Sequence, residues 1–118
     1  MKRMFISTNI FMKRWDEIGL SDDDLSKLET YIMENPKAGD IMMGTGGAIK
    51  LRYALPGIGK SGGARVIYID AIMTERVFLL TCYPKSKKDT LTDDEKAAIK
   101  EVVKRILESE RRGYNNER

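Results

Sequence analysis

Basic side chains recur at spacings that suit a phosphate-bearing ligand. Lys50 and Arg52 alternate with Ile49, Leu51 and Tyr53, so in an extended chain the two cations share one side and the apolar residues the other. Arg65 opens a second extended stretch, "ARVIYID", and Lys60 lies between the two. Antiparallel pairing of 49–54 with 64–70 brings Lys50, Arg52 and Arg65 together, with Lys60 above them on the connection. A third stretch ends at Tyr83, after which Pro84 releases Lys85, Lys87 and Lys88 as a basic rim. The sequence contains no histidine, which removes imidazole acid–base catalysis and every dyad built on it. Such a set can still cleave RNA, because the 2′-hydroxyl is the nucleophile and no metal-bound water is needed. Guanidinium forks match phosphate oxygens and stabilise the charge that grows on the phosphorane. A lysine hemmed in by other cations loses proton affinity and can move protons nearer neutrality. Tyr83 can stack on a base of single-stranded RNA, or it can be an ordinary core tyrosine at a strand end. A solvated basic face is the plain alternative for the whole set.

One string competes with this assignment. "ALPGIGKS" fits a relaxed Walker A pattern through Ala54, Gly59, Lys60 and Ser61. A P-loop needs its Lys-Ser to open a helix whose free N–H groups hold the phosphates. Here "GGARVIYI" follows, which reads as a strand, and a chain of 118 residues has no room for several βαβ units. The P-loop is rejected, and residues 56–63 are expected to be a loop that carries Lys60 toward a phosphate.

The remaining sequence must position these residues. With 42% hydrophobic and 33% charged residues the composition is that of a soluble globule, and one domain over residues 1–110 is expected. The single cysteine, Cys82, excludes an internal disulfide and suits a reducing, cytoplasmic compartment. The apolar run at the N-terminus is interrupted by Ser7, Thr8 and Asn9, so neither a signal peptide nor a membrane span is expected. Charge is segregated along the chain. Residues 15–40 carry eight acidic and two basic groups, whereas residues 41–69 carry four basic groups and no acid. A polyanion on one face and a different contact on another would suit that division.

Arg3–Ser7 reads as a strand, followed by a helix capped by Asn9 with Phe11, Trp15 and Ile18 on its apolar face, ended by Gly19. Ser21 caps a second helix that opens on Asp22, Asp23 and Asp24. Consecutive helical carboxylates diverge by about 100°, so these complement the helix dipole rather than chelate a metal. Strands follow at 49–54, 64–70 and 76–83, and Thr92 with Glu95 forms a capping box for the last helix. From Arg111 to the end, a polar, frayed tail is expected. The order β-α-α-β-β-β-α predicts an α+β fold, a mostly antiparallel sheet with the helices packed on one face.

The combination "GTGGAIKLRYALPGIGKSGGARVIYI" and "VFLLTCYPKSKKDTLTDDEK", with "WDEIGLSDDDL" and "ENPKAGD" earlier, resembles the RelE/ParE toxin superfamily, and most nearly its HigB-type branch, over about residues 5–107. The resemblance implies a RelE-like fold and a toxin of a type II toxin–antitoxin system. Such a toxin is a ribosome-dependent endoribonuclease that cuts mRNA, uses no cofactor or metal, and is neutralised by a co-encoded antitoxin, here expected to be a helix-turn-helix protein of HigA type. It places Lys50, Arg52, Arg65 and Lys85 in the catalytic set, with Lys60, Tyr83 and Lys87 binding substrate. RelE has a tyrosine near the start of its last helix where this chain has Leu91, which leaves the proton-transfer residue open. A ParE-like inhibitor of gyrase with no hydrolytic site, or an inactive homologue, is the competing expectation.

Overall fold

The computed structural model describes residues 2–54, 63–86 and 90–116. Five strands form one sheet: β1 (Met4–Ser7), β2 (Asp40–Ile41), β3 (Ile49–Tyr53), β4 (Ala64–Ala71) and β5 (Arg76–Pro84), in the order β1-β5-β4-β3-β2. β1 runs parallel to β5 and every other pairing is antiparallel. Among the described residues there are three α-helices, α1 (Asn9–Ile18), α2 (Asp22–Glu34) and α3 (Asp93–Asn116), and a 3-10 turn at Ile72–Thr74. The α+β class and the mostly antiparallel sheet are as expected. β2 is added, a two-residue strand too short to leave a periodic signal.

The placement of the helices differs from the expectation of one covered face. Phe11, Trp15, Leu28 and Ile32 of α1 and α2 pack with Leu51, Val66, Tyr68, Val77 and Leu79. Val103 of α3, with Ile99 and Ile106 beside it, packs with Ile67, Ile69 and Leu80. Val66 and Ile67 point to opposite sides of β4, so α3 covers the other face of the sheet. The physical reason lies in β4, where Ala64 to Ile69 are all buried. A strand buried on both faces needs a cover on each.

Local chemistry sets the helix ends. Thr8, one residue earlier than expected, caps α1 by accepting from the Phe11 N–H at 3.1 Å. Gly19 closes that helix at φ 92°, a left-handed conformation suited to glycine. In α2 the Ser21 hydroxyl accepts from the Asp24 N–H, and the Asp24 carboxylate accepts from the Ser21 N–H and hydroxyl. Those bonds hold the Asp24 carboxyl below the usual carboxylate range. Thr92 and Glu95 reciprocate in the same manner at the start of α3. α3 continues past Arg111 to Asn116, where a frayed tail was expected, and Glu110 fastens it by accepting from Thr74 at 2.6 Å and Arg76 at 3.2 Å.

The Gly44–Gly47 turn feeds β3. Gly44, Gly46 and Gly47 all have positive φ, and Thr45, wholly buried between them, donates to Met42 O and accepts from the Ala48 N–H. A Cβ on Gly46 would come within 3.5 Å of Val103. The turn is therefore the seat on which α3 rests while β3 enters the sheet.

Cys82 is buried among the residues that face α1, and burial pushes its thiol up to about 12. Burial likewise raises the phenols of Tyr53 and Tyr68. Each group is folded in its neutral form and gains more acidity on unfolding. Their stabilisation is thus complete below the unfolded pKa values and falls as pH rises from about 9 toward 12. We predict that denaturant midpoints fall over that interval and that Cys82→Ala flattens part of the fall. Below pH 9 iodoacetamide should label Cys82 only on unfolding; rapid labelling of the native protein would contradict the burial.

Candidate nucleic-acid interface

The central strands place the candidate residues in a transverse row. Direct partners in an antiparallel ladder share a face of the sheet. Arg52 pairs with Arg65, and Arg65 pairs with Tyr83. Two residues along each strand, Lys50 pairs with Ile67 and Ile67 with Thr81. Strands lie about 4.8 Å apart, so Arg52, Arg65 and Tyr83 span about 10 Å across the face that carries α3. Lys85 adjoins the end of the row, where its N–H donates to Gly63 O at 2.9 Å. Lys50, Arg52, Arg65, Tyr83 and Lys85 are thereby brought to one region. Lys60 and Lys87 lie outside the described residues.

Burial divides the row. Arg65 is only 3% exposed, Lys50 is half-buried, and Arg52 and Lys85 are exposed. The guanidinium of Arg65 is held by its surroundings, whereas Arg52 and Lys85 can follow a ligand. Two arginines as direct cross-strand partners are unfavourable in a ladder. A phosphate between them would reverse that repulsion, since both forks can donate to its oxygens.

Tyr83 reaches this face through an irregularity in β5. Ile67 pairs with Thr81 but Tyr68 pairs with Leu79, which leaves Leu80 as an extra residue. Val77 and Leu79 face α1 and α2, and unbroken alternation would have sent Thr81 and Tyr83 there too. The bulge instead turns Thr81 and Tyr83 to the face of Ile67, and Tyr83 joins Leu80 in the core beneath α3. Thr8 holds it in place: its N–H donates to Leu79 O at 3.0 Å and its hydroxyl donates to Leu80 O at 2.8 Å. Nothing in "VFLLTCY" announces this, because every residue in it suits either face.

Leu91, at the position where a tyrosine was considered, is buried in the core beneath α3. Beside it, an apolar groove of about 550 Å³ runs between the first turn of α1, the end of β5 and the first turns of α3. Tyr83 lines the groove as well as ending the cationic row. No group of three or more Asp, Glu or Cys side chains among the described residues is arranged to hold a metal ion. Lys60 and Ser61 lie outside the described residues, and the chain that follows them is a strand from Ala64, where a P-loop requires a helix. No helix among the described residues is long and apolar enough to cross a membrane.

The fold agrees with a comparison against protein families. A family model for the RelE toxin of the RelE/RelB toxin–antitoxin system matches residues 2–116, nearly the whole chain of 118. The chain belongs to the RelE toxin family.

Proposed function

We propose that this toxin is a ribosome-dependent endoribonuclease that cuts mRNA and so arrests translation. The supporting observation is the direct pairing of Arg52 with Arg65 and of Arg65 with Tyr83 across one face of the sheet. Arg65 and Arg52 stabilise the charge that develops on the phosphorus centre. The 2′-hydroxyl of the preceding nucleotide attacks that phosphorus, the bond to the 5′-oxygen breaks, and the products end in a 2′,3′-cyclic phosphate and a 5′-hydroxyl. Lys50 and Lys85 are assigned to the two proton transfers, from the 2′-hydroxyl and to the leaving oxygen. Tyr83 supports a base, and Lys60 and Lys87 extend the phosphate contacts. As a family member the toxin has an antitoxin partner; we assign that partner to the helix-turn-helix, HigA-like kind and the setting to the cytoplasm.

Cleavage is expected to withstand EDTA additions that leave ribosomes intact, with the ends just described. The test is end-group analysis of mRNA cut on translating ribosomes by purified toxin. Ends bearing a 5′-phosphate would point to a metal-activated water and defeat the mechanism. DNA damage preceding any arrest of protein synthesis would favour a ParE-like gyrase inhibitor instead.

A further inference from the structure

Resting on the ribonuclease function proposed above, we infer that Thr8 is a positioning residue for the cleavage: its hydroxyl, at the junction of β1 and α1, fixes the place of the Tyr83 ring in the cationic row. Successive carbonyls of a regular strand point to opposite edges of it. Leu79 O and Leu80 O do not, because both meet Thr8, the first accepting from its N–H at 3.0 Å and the second from its hydroxyl at 2.8 Å. Two neighbouring carbonyls that face one edge of a buried strand each need a donor. Thr8 supplies both, one from its backbone and one from its side chain. Any residue except proline brings the backbone donor, so only the bond to Leu80 O depends on which residue stands at position 8.

The consequence runs along β5. Leu80 is the extra residue of the bulge, and the bulge decides the faces to which Thr81, Cys82 and Tyr83 turn. With it in place, Tyr83 pairs with Arg65 on the face of the row, and Cys82 stays in the core beneath α1 and α2. Leu80 is buried, so its carbonyl is costly without a donor, and the strand relieves that cost by shifting toward regular alternation. Such a shift displaces Tyr83 against Arg65, where a movement of about 1 Å is enough to slow the reaction. The same Thr8 hydroxyl has a second role, because its oxygen accepts from the Phe11 N–H at 3.1 Å and so caps α1. The two roles are chemically separable. Serine, aspartate and glycine all serve at a helix N-cap. Of these, only serine carries a side-chain donor for Leu80 O; an ionised aspartate accepts alone, and glycine has no side chain.

The experiment measures single-turnover cleavage of mRNA on programmed ribosomes by full-length Thr8→Asp, Thr8→Gly and Thr8→Ser toxins, at a temperature below the lowest Tm of the set. Thr8→Asp and Thr8→Gly keep a cap and should stay folded, yet cleave about 10- to 100-fold more slowly than wild type. Thr8→Ser should restore most of the rate. A residue that acts through Tyr83 loses its effect once the ring is gone. In a Tyr83→Leu background, which keeps apolar bulk in the core, Thr8→Asp should therefore add less than about a twofold loss. Without RNA, the ring and amide NMR signals of Tyr83 should move in Thr8→Asp and Thr8→Gly and stay in place in Thr8→Ser. If folded Thr8→Asp and Thr8→Gly cleave like wild type, or if the loss in Thr8→Asp multiplies with that of Tyr83→Leu, the inference falls while the ribonuclease function stands. Unmoved Tyr83 signals in both donor-free variants overturn it as well. Wild type that cuts no mRNA would instead defeat the ribonuclease function, and the catalytic meaning of the placement with it.

Discussion

Arg65→Met is expected to reduce mRNA cleavage by about 100- to 1000-fold, the usual cost of removing one preorganised donor from a site of developing charge. Methionine is chosen because Arg65 is buried, with 3% of its surface exposed, and an alanine would remove the packing of its stem along with its charge. Arg65→Lys should rescue little, since an ammonium cannot reproduce the planar fork. Arg52 is exposed, so Arg52→Ala should cost less, about tenfold, and should also lower the salt dependence of binding by about one single-strand phosphate contact, roughly 0.7 in the slope. Cleavage rate, arrest of protein synthesis and melting temperature are measured together for each variant. A folded Arg65→Met toxin that cleaves like wild type would remove Arg65 from the site and with it the case for the row.

How much of this was legible in the sequence depends on what each residue's neighbours could reveal. The alternation of Ile49, Leu51 and Tyr53 with Lys50 and Arg52 is visible because β3 is polar on one side, and the structure keeps it. Ser21 with Asp24, and Thr92 with Glu95, announce helix starts because a cap is a local bond between residues three apart. Thr8 and Asn9 are both good caps, and only the geometry at Phe11 chooses Thr8. The two-sided burial of β4 was hidden because a continuous apolar run looks the same whether one face or both are covered. The bulge at Leu80 was hidden for a related reason. Its cause is tertiary, two hydrogen bonds from Thr8 across 71 or 72 positions of sequence, and register shifts leave no mark on a run of interchangeable apolar residues. Fold and basic residues were thus readable, while the face to which Tyr83 points was not.

Trp15→Ala is expected to have the largest effect on stability of any single truncation in the α1 face. Trp15 is fully buried, stacks on Phe11 with ring centroids 5.4 Å apart, and donates from Nε1 to Ser21 O at 3.0 Å. That last bond joins α1 to the residue that caps α2, so one side chain fixes both the core and the angle at which the second helix begins. Truncation leaves a cavity between α1, α2 and the sheet and costs about 3–5 kcal/mol. In a chain of this size that lowers Tm by at least about 12 °C. Trp15→Phe would keep most of the volume, lose the bond to Ser21 O and cost distinctly less, which separates cavity from hydrogen bond. The site lies on the opposite face, so Trp15→Phe held well below its Tm should cleave mRNA at close to the wild-type rate. Equal melting of Trp15→Ala and wild type would mean that α1 is not packed as described. Loss of cleavage in a fully folded Trp15→Phe would show that the α1 face, through Thr8 and the β5 bulge, governs the position of Tyr83 more tightly than the row alone requires.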